Sequence, residues 1–377
     1  MEGRVAKGNQ SMKKVGALLG FVILILLIVA LIMNRDRLTF GHFVRGVQYY
    51  NLGGSARAEE FQFENLASNT FAVFNDGIAV ASNAGLSVYD RRASQVYAVR
   101  TPLEQPIIET AGEFVLAYDL GGLNMQVGNT SGHLWHLEAD GRLIDARINE
   151  HGWVTVSFEQ TGTLGVIRVY DPEGRPRFHV RAGVGHLIGA NLAADNRTLV
   201  FLTMTELGGR VAWYHIDAEP EEPEYEYLEE GELFFDFWFT ARDGSVGVIS
   251  SDRVRFLSDK GEPRGEYAFS ERYLRAYDVD RERVALHLSS HPSGVGGMLV
   301  LLEPNGTASE ILAEGTTLDI SLNGRYLAVL SLDKLVVYRD DREYARWNET
   351  EGMTRVLMRE SGTVFRLSPH RARLLVP

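Results

Sequence analysis

The 377-residue sequence contains no cysteine. Structural disulfides, thiolate nucleophiles, Cys-type zinc sites and iron–sulfur clusters are therefore excluded. An extracellular eukaryotic domain of this size usually carries disulfides, so their absence is more typical of a bacterial surface domain. Proline is also scarce, with 11 residues against 38 glycines. The composition, 45% hydrophobic and 23% charged, is that of a globular protein and not of a disordered chain.

Positive charge is in deficit, because 38 Lys and Arg residues face 50 Asp and Glu residues and give a formal net charge of −12. Such a surface repels nucleic-acid phosphates, so we expect no nucleic-acid partner. The acidity is greatest in the run 218–226. A run of this kind is typical of a solvated loop, and it lacks the ligand spacing of a calcium loop. A docking loop for a basic partner is the functional alternative.

Catalytic signatures are missing as well. The sequence has no Gly-x-Ser-x-Gly nucleophile elbow, no P-loop and no His-Glu-x-x-His motif. His133 and His136 flank Trp135, but this odd spacing places them on opposite faces of a strand, where they cannot share a metal. We therefore predict no catalytic residue, no metal site and no cofactor. One enzymatic alternative stays open, a polysaccharide hydrolase or lyase whose carboxylates converge from distant parts of the chain.

One apolar run is long enough to cross a membrane. Residues 15–33 are nineteen consecutive uncharged residues, and as a helix they span about 28 Å, close to the roughly 30 Å of bilayer hydrocarbon. The run ends at residues 31–35 without a small-x-small cleavage site, which indicates an uncleaved signal-anchor. Four basic residues precede the run and three follow it, a bias that favours a cytoplasmic N-terminus.

This topology divides the chain into four parts. We expect a short cytoplasmic tail (1–14), a transmembrane helix (15–33), a linker (34–56) and a large domain (57–377) that lies outside the cell. The chain is thus predicted to be a single-pass protein of the cell membrane with its C-terminal domain extracellular.

After the anchor, short β-type runs alternate with turn signals, and no helical period is sustained. One strand type recurs, an apolar alternation that follows a turn, and its eight occurrences begin 36 to 47 residues apart. This interval is about the length of one four-stranded propeller blade. The occurrences begin at residues 77, 113, 153, 198, 245, 283, 326 and 363.

A second repeated feature follows these strands. A run that ends in an aromatic residue or Leu meets an Asp/Gly/Pro turn at 88–90, 169–174, 256–261, 302–306 and 337–341. Such turns join a third strand to a fourth, because Asn, Asp and Gly supply positive φ. Seven complete four-strand units fit between residues 70 and 347, and three strand-like runs follow. The segment 57–64 can supply the missing outer strand of an eighth unit, so an all-β propeller of eight blades is favoured over one of seven.

Three segments carry a family resemblance. Residues 318–329 are similar to the strand–turn–strand unit of WD-repeat-like and TolB-like propellers, with Asn323-Gly324 in place of the usual Pro-Asp-Gly. Residues 114–122 and 166–171, with the anchored N-terminus, resemble an uncharacterised clostridial family of membrane-anchored, WD-repeat-like propellers. That family continues its Tyr-Asp-x-Gly-Gly with Lys-Ser-Tyr or similar, whereas Leu123-Asn124-Met125 stands here, so no role of the lysine is carried over. The resemblance implies a propeller fold and no particular activity.

The candidate ligand-binding residues are Tyr118, Asp119, Gly121 and Gly122. The double glycine interrupts a strand pattern, which marks either a structural bulge or the close approach of a ligand. Together these features predict a binding or scaffolding module at the cell envelope. Its partners would be the membrane, through residues 15–33, and a protein or cell-envelope polymer.

Overall fold

The computed structural model describes residues 60–63, 68–218 and 222–377, which belong to a compact unit spanning Arg57–Pro377. The regular secondary structure of this part is entirely β, with 31 strands. No helix among the described residues is long and apolar enough to cross a membrane. The predicted tail, transmembrane helix and linker (1–14, 15–33 and 34–56) lie outside the described residues.

The strands form six four-stranded sheets and one seven-stranded sheet, and all paired neighbours are antiparallel. In chain order the strands are β1 (Glu60–Gln62), β2 (Thr70–Phe74), β3 (Gly77–Ser82), β4 (Gly85–Tyr89), β5 (Gln95–Val99), β6 (Pro106–Ala111), β7 (Phe114–Asp119), β8 (Asn124–Asn129), β9 (Gly132–Glu138), β10 (Leu143–Ile148), β11 (Val154–Phe158), β12 (Val166–Tyr170), β13 (Pro176–Arg181), β14 (His186–Leu192), β15 (Thr198–Met204), β16 (Gly208–His215), β17 (Tyr225–Glu230), β18 (Asp236–Phe239), β19 (Val246–Ile249), β20 (Arg253–Leu257), β21 (Pro263–Ala268), β22 (Tyr273–Asp280), β23 (Arg283–Ser289), β24 (Val295–Leu302), β25 (Ala308–Asn323), β26 (Tyr326–Ser331), β27 (Leu335–Arg339), β28 (Arg342–Trp347), β29 (Arg355–Met358), β30 (Val364–Ser368) and β31 (Arg371–Leu375).

Each four-stranded sheet between β2 and β21 is a meander of consecutive strands. The seven-stranded sheet runs from β22 to β28 and consists of two such meanders that share β25, a strand of 16 residues. The first part of β25 pairs with β24, and the last part of β25, with a bulge between Thr317 and Asp319, pairs with β26. One long strand therefore serves as the fourth strand of one meander and the first strand of the next.

The recurrent strand predicted from the sequence is present in every sheet. It is the second strand of each meander, and its start lies within one residue of the predicted position in β3, β7, β11, β15, β19, β23, β26 and β30. The five predicted Asp/Gly/Pro turns each join a third strand to a fourth. Both repeated patterns are thus confirmed.

The two termini of the compact unit meet in one sheet. Strand β1 pairs with β31, with Phe61 opposite Ala372, and completes the sheet formed by β29, β30 and β31. Phe61 is buried and meets the ring of Phe365 edge-on, at 5.4 Å between centroids. The strand predicted within 57–64 therefore pairs as expected, and it covers a sheet edge that would otherwise be open.

The apolar core lies between consecutive sheets. Val127 of β8 packs in one cluster with Val156 of β11, and Val200 of β15 packs with Val248 of β19. The last sheet also packs against the first, because Phe365 shares a cluster with Phe71, Ile78 and Val80. Small and β-branched apolar residues suit these pleated faces, and each fully buried side chain contributes about 1.5–3 kcal/mol.

The first strand of each meander has backbone donors that its own meander leaves without partners. Side chains from the neighbouring meander supply them: Asp278 Oδ2 accepts from Leu322 N at 2.7 Å, and Asp319 Oδ2 accepts from Val356 N at 2.8 Å. These bonds link successive first strands and satisfy N–H groups that the ladder leaves unpaired.

The connections between strands fall into two sets. Antiparallel succession places the turns that join first to second and third to fourth strands at one end of each sheet. The turns that join second to third strands, and the connections to the next sheet, lie at the other end. We call the first set the lower face and the second set the upper face.

Candidate functional site

Exposed large apolar side chains distinguish the two faces. In the described connections between strands they occur only on the upper face; at the lower end, the one such residue among those described is Val376, which follows β31. A few further examples lie at upper strand ends. The upper-face set is Leu120, Leu123, Leu164, Val184, Met204, Leu207, Leu233, Phe235, Tyr273, Val295, Leu318 and Leu332.

The densest part of this set spans the β10–β13, β14–β17 and β18–β21 sheets. Its connections touch one another: Leu187 N donates to Leu164 O at 3.0 Å, and Gly231 N donates to Leu207 O at 2.7 Å. We call Leu164, Val184, Met204, Leu207, Leu233 and Phe235 the apolar arc. Leu207 is the most exposed residue of the arc, at 61%.

The lower-face turns have the opposite chemistry. Asp90 and Asp171 each accept two backbone N–H groups of their own turn through Oδ1. Asp195 does the same, accepting from Arg197 N and Thr198 N at 2.8 and 2.9 Å. These carboxylates satisfy the backbone donors of their own turns, so these three lower-face turns are self-capped polar hairpins.

Four charged side chains meet on the first strands of three sheets, and we call them the ion cluster. Arg147 of β10 lies at the centre, with Nη1 at 3.5 Å from Glu109 Oε1 of β6. Its Nε lies 3.1 Å from Asp145 Oδ1, and its Nη2 lies 3.1 Å from Asp236 Oδ1 of β18. Three carboxylates thus share one guanidinium, and the cluster is acidic.

Two tyrosine hydroxyls complete the ion cluster. Tyr118 donates to Asp145 Oδ1 at 3.3 Å, and Tyr277 donates to Asp236 Oδ2 at 2.7 Å. The ring of Tyr277 contacts Phe235 of the apolar arc, with centroids 6.0 Å apart. The ion cluster is therefore connected to the arc through direct contacts.

Burial changes the acidity of these carboxyl groups. It raises the pKa of Glu109 to about 7; Arg147 opposes this rise, while Asp145 and Asp236 add to it. The side chain of Glu109 is still 30% exposed, so water reaches it although the surrounding protein removes much of its hydration. Burial also raises the pKa of Asp145, again against the effect of Arg147. A carboxyl that titrates near neutrality is typical of functional sites.

The predicted residues Asp119 and Gly122 define an upper-face turn between β7 and β8. Asp119 Oδ1 accepts from Gln105 N at 2.7 Å, and Gly122 N donates to Asp119 O at 3.0 Å. A Cβ on Gly122 would stand 2.1 Å from Asp119 Oδ2, so another residue here would displace the Asp119 side chain. The double glycine thus lies in a turn and not within a strand.

The predicted residues Tyr118 and Gly121 connect this turn to the ion cluster. Tyr118 reaches Asp145 as described, and Gly121 N donates to Leu143 O at 2.8 Å, at the start of the strand that carries Asp145 and Arg147. The predicted residues therefore lie beside the ion cluster, whose charged residues the sequence did not predict, and ligand binding by the predicted residues stays a prediction. The missed signal was a charged residue inside an apolar strand pattern, as at Glu109.

The expectation that His133 and His136 point to opposite faces is wrong. Their rings stack with centroids 6.5 Å apart. Strand β9 is irregular between them, because Val127 pairs with Trp135 while the next residue, Gly128, pairs with His133. Partial burial of its ring lowers the pKa of His133, and the neighbouring His136 lowers it further, to a smaller extent. Within the described residues, no three His, Asp or Glu side chains are placed to hold a metal ion.

Comparison with known proteins defines the class. The C-terminal WD40 domain of Sif2 aligns with a TM-score of 0.60 at 13% identity, over 85% of this chain and 98% of that one. The β-propeller domain of Myceliophteria thermophila Cps50 (Swd1) aligns with a TM-score of 0.49 at 9% identity, over 73% and 99%. The alignment with the Sif2 domain shows the fold, an all-β propeller similar to WD40 domains.

The sequence identifies the family. Residues 56–341 match the "Family of unknown function (DUF5711)", and the chain belongs to it. No curated protein matches the chain.

Proposed function

We propose that this protein is a membrane-tethered propeller that docks a protein partner on its upper face. The observation that carries the proposal is the restriction of exposed apolar side chains in the described connections to that face. Contiguous exposed apolar surface rimmed by polar groups marks interaction sites, because leaving it in water is unfavourable. The WD40-like fold supports a binding or scaffolding role and assigns no partner.

Charge defines the chemistry of this partner. Glu159 and Glu206 are exposed in upper-face connections beside the apolar arc, and the whole chain carries a net charge of −12. The ion cluster adjoining the arc holds three carboxylates against one guanidinium. A partner with an apolar patch and surrounding Lys or Arg side chains complements this surface.

Site-specific photo-crosslinking in cells tests the docking face. A crosslinker at Leu207 or Leu233 should trap one protein, whereas crosslinkers at the lower-face positions Arg91 and Arg325 should not. The double variant Leu207→Ser/Leu233→Ser should then weaken binding of that purified partner about tenfold or more. Leu312→Ser, which alters an exposed side chain on an outer strand, is the matched control. Equal trapping from both faces would refute the proposal.

We infer that the ring has eight blades. Six blades are the four-stranded sheets, and the other two are the meanders of the seven-stranded sheet, which share β25. The blade made of β29, β30, β31 and β1 joins both ends of the compact unit and supports closure of the ring.

Residues 15–33 are proposed to anchor the domain in the cell membrane, with the N-terminus cytoplasmic and the propeller at the cell envelope. The length and uniform apolarity of this run support the anchor, and the flanking charge supports its orientation. The full chain should partition with membranes and expose the propeller to added protease only from outside. A fragment of residues 40–377 should be soluble, β-rich by circular dichroism and monomeric. A soluble full chain would refute the anchor.

A second candidate function is an envelope polysaccharide hydrolase or lyase. The observation that favours it is Glu109, whose pKa of about 7 suits a general acid, beside the carboxylates of Asp145 and Asp236. Glu109→Gln should abolish turnover of an envelope polysaccharide by the purified chain. The absence of turnover by the native chain over pH 5–8 would leave docking as the function.

A further inference from the structure

A separate cavity opens on the lower face, between the β10–β13 and β14–β17 sheets. Its volume is about 350 Å³, and Trp153, Arg177, Asn196 and Arg197 are among the residues that line it. It does not involve the apolar arc or the ion cluster. A site here is therefore independent of the docking surface.

The loops that form this cavity are tied together. Asn149 is buried, and its Nδ2 donates to Asn196 Oδ1 at 2.8 Å and to Ala193 O at 3.3 Å in the adjacent sheet. Its Oδ1 accepts from Trp153 N at 3.1 Å. Asn196 has a φ of 58°, a left-handed conformation that Asn tolerates better than most residues. The cavity is thus preorganised by a side-chain bridge between two sheets.

The cavity is rich in hydrogen-bond donors. Arg177 has its nearest carboxylate oxygen, Asp171 Oδ2, at 4.0 Å, and that oxygen already accepts from Arg175 Nε at 2.8 Å. Asn196 Oδ1 accepts from Asn149, and Asn196 Nδ2 has no hydrogen-bond partner among the described residues. Arg197 forms one ion pair, from Nε to Asp217 Oδ2 at 3.2 Å, and its guanidinium carries further N–H donors.

Two carboxylates line the cavity, and each already has a partner: Asp217 Oδ2 pairs with Arg197 Nε at 3.2 Å. Asp195 accepts two backbone N–H groups through Oδ1, and its Oδ2 accepts from the hydroxyl of Thr198 at 2.6 Å. A ligand that fits must therefore bring acceptors, preferably charged ones that an arginine fork can bind. Trp153, which is only partly buried, and Ile216 add apolar surface on which the face of a sugar ring can lie.

We propose that this lower-face cavity binds a carboxylate-bearing sugar residue of an acidic polysaccharide. The carboxylate of the sugar accepts hydrogen bonds from Arg177 and Asn196, and the sugar ring lies against Trp153. The propeller would then bind a protein on one face and an anionic glycan on the other.

Binding of oligogalacturonate to the full chain, measured by calorimetry and by tryptophan fluorescence at low salt, tests the site. We expect a dissociation constant below about 1 mM and at least about tenfold weaker binding of neutral maltohexaose. Arg177→Gln and Asn196→Asp should each weaken binding about fivefold or more, since each removes a donor at a charged contact. Asn196→Asp keeps the acceptor for Asn149 and the capacity for positive φ, so the loops stay tied.

The matched control is Arg342→Gln, which removes the same charge from the wall of another surface cavity. It should leave the affinity unchanged. Trp153→Phe should abolish the ligand-dependent change in fluorescence while binding persists in calorimetry. Equal weakening by Arg342→Gln, equal binding of maltohexaose, or inorganic phosphate competing as well as the oligosaccharide would each overturn the proposal, because the interaction would then be general electrostatics.

Discussion

Arg147 Nη2 lies 3.1 Å from Asp236 Oδ1, although the two residues belong to sheets that are not consecutive in the chain. The sheet between them contributes Gly189 at the corresponding part of its first strand, β14. A Cβ on Gly189 would stand 2.6 Å from Asp145 Oδ2. A glycine in one sheet therefore leaves room for the carboxylate that holds Arg147 in place.

Replacing this glycine should destabilise the domain. Gly189→Ala forces Asp145 away from Arg147, and we expect a loss of about 1–3 kcal/mol in the free energy of unfolding. Urea denaturation followed by circular dichroism measures it. Gly183→Ala is the control, because Gly183 is exposed and a Cβ there meets nothing within 4 Å. Equal effects of the two changes would show that Gly189 is not required for space.

Removing the central cation should cost more. Arg147→Gln leaves three carboxylates without their common partner, and we expect a loss of about 3–5 kcal/mol at pH 8. The loss should shrink on acidification, because protonated carboxyls no longer need the guanidinium. Arg342→Gln, at a side chain that is 90% exposed, should change nothing measurable. A pH-independent loss in Arg147→Gln would contradict this account of the cluster.

Asp278 should make the stability depend on pH. Burial raises its pKa from the ordinary 3.8 to about 7, against the lowering effect of the N–H of Leu322. Since the folded state binds this proton more tightly than the unfolded state, the contribution is fully present below about pH 4 and is lost as the pH rises through 7. Asp319, whose pKa is raised to about 6, acts in the same direction.

The measurement is the free energy of unfolding at pH 5 and at pH 8. We expect Asp278→Asn to remove about 2 kcal/mol of the difference, because the amide neither titrates nor loses its carbonyl acceptor. Asp341→Asn, at an exposed turn position, should leave the difference unchanged. An unchanged difference in Asp278→Asn would show that the buried carboxyl does not titrate in this range.

The strand that joins the two ends of the unit should be essential for stability. Phe61→Ala removes a buried ring that contacts Phe365, and we expect a loss of about 3–5 kcal/mol. Thermal and urea unfolding of the full chain provide the test. Val96→Ala, at a side chain that is 44% exposed on an outer strand, is the control. If Phe61→Ala were as mild as Val96→Ala, β1 would not close the ring.

Local sequence determined the repeating unit. Alternating apolar residues at period two and Asp, Asn and Gly in the turns place the second strands within one residue, since both signals act between neighbours in the chain. The alternation of Glu60 and Phe61 was sufficient to predict a closing strand. The double glycine at 121 and 122 is also a local signal, a break in a strand pattern; it predicts a bulge or the approach of a ligand, whereas the structure places it in the turn between β7 and β8.

Tertiary structure decided what the side chains do. Glu226 ends an acidic run that predicts a solvated loop, and Glu229 follows that run, yet both lie on β17 and form ion pairs, with Arg210 and Arg255 respectively. Glu109 and Asp236 are 127 positions apart in the sequence and reach the same guanidinium. Periodicity fixes the face on which a residue lies, whereas the packing of one sheet on the next decides which faces meet. The ion cluster, the apolar arc and the lower-face cavity all arise from that packing, and no local pattern in the chain encodes it.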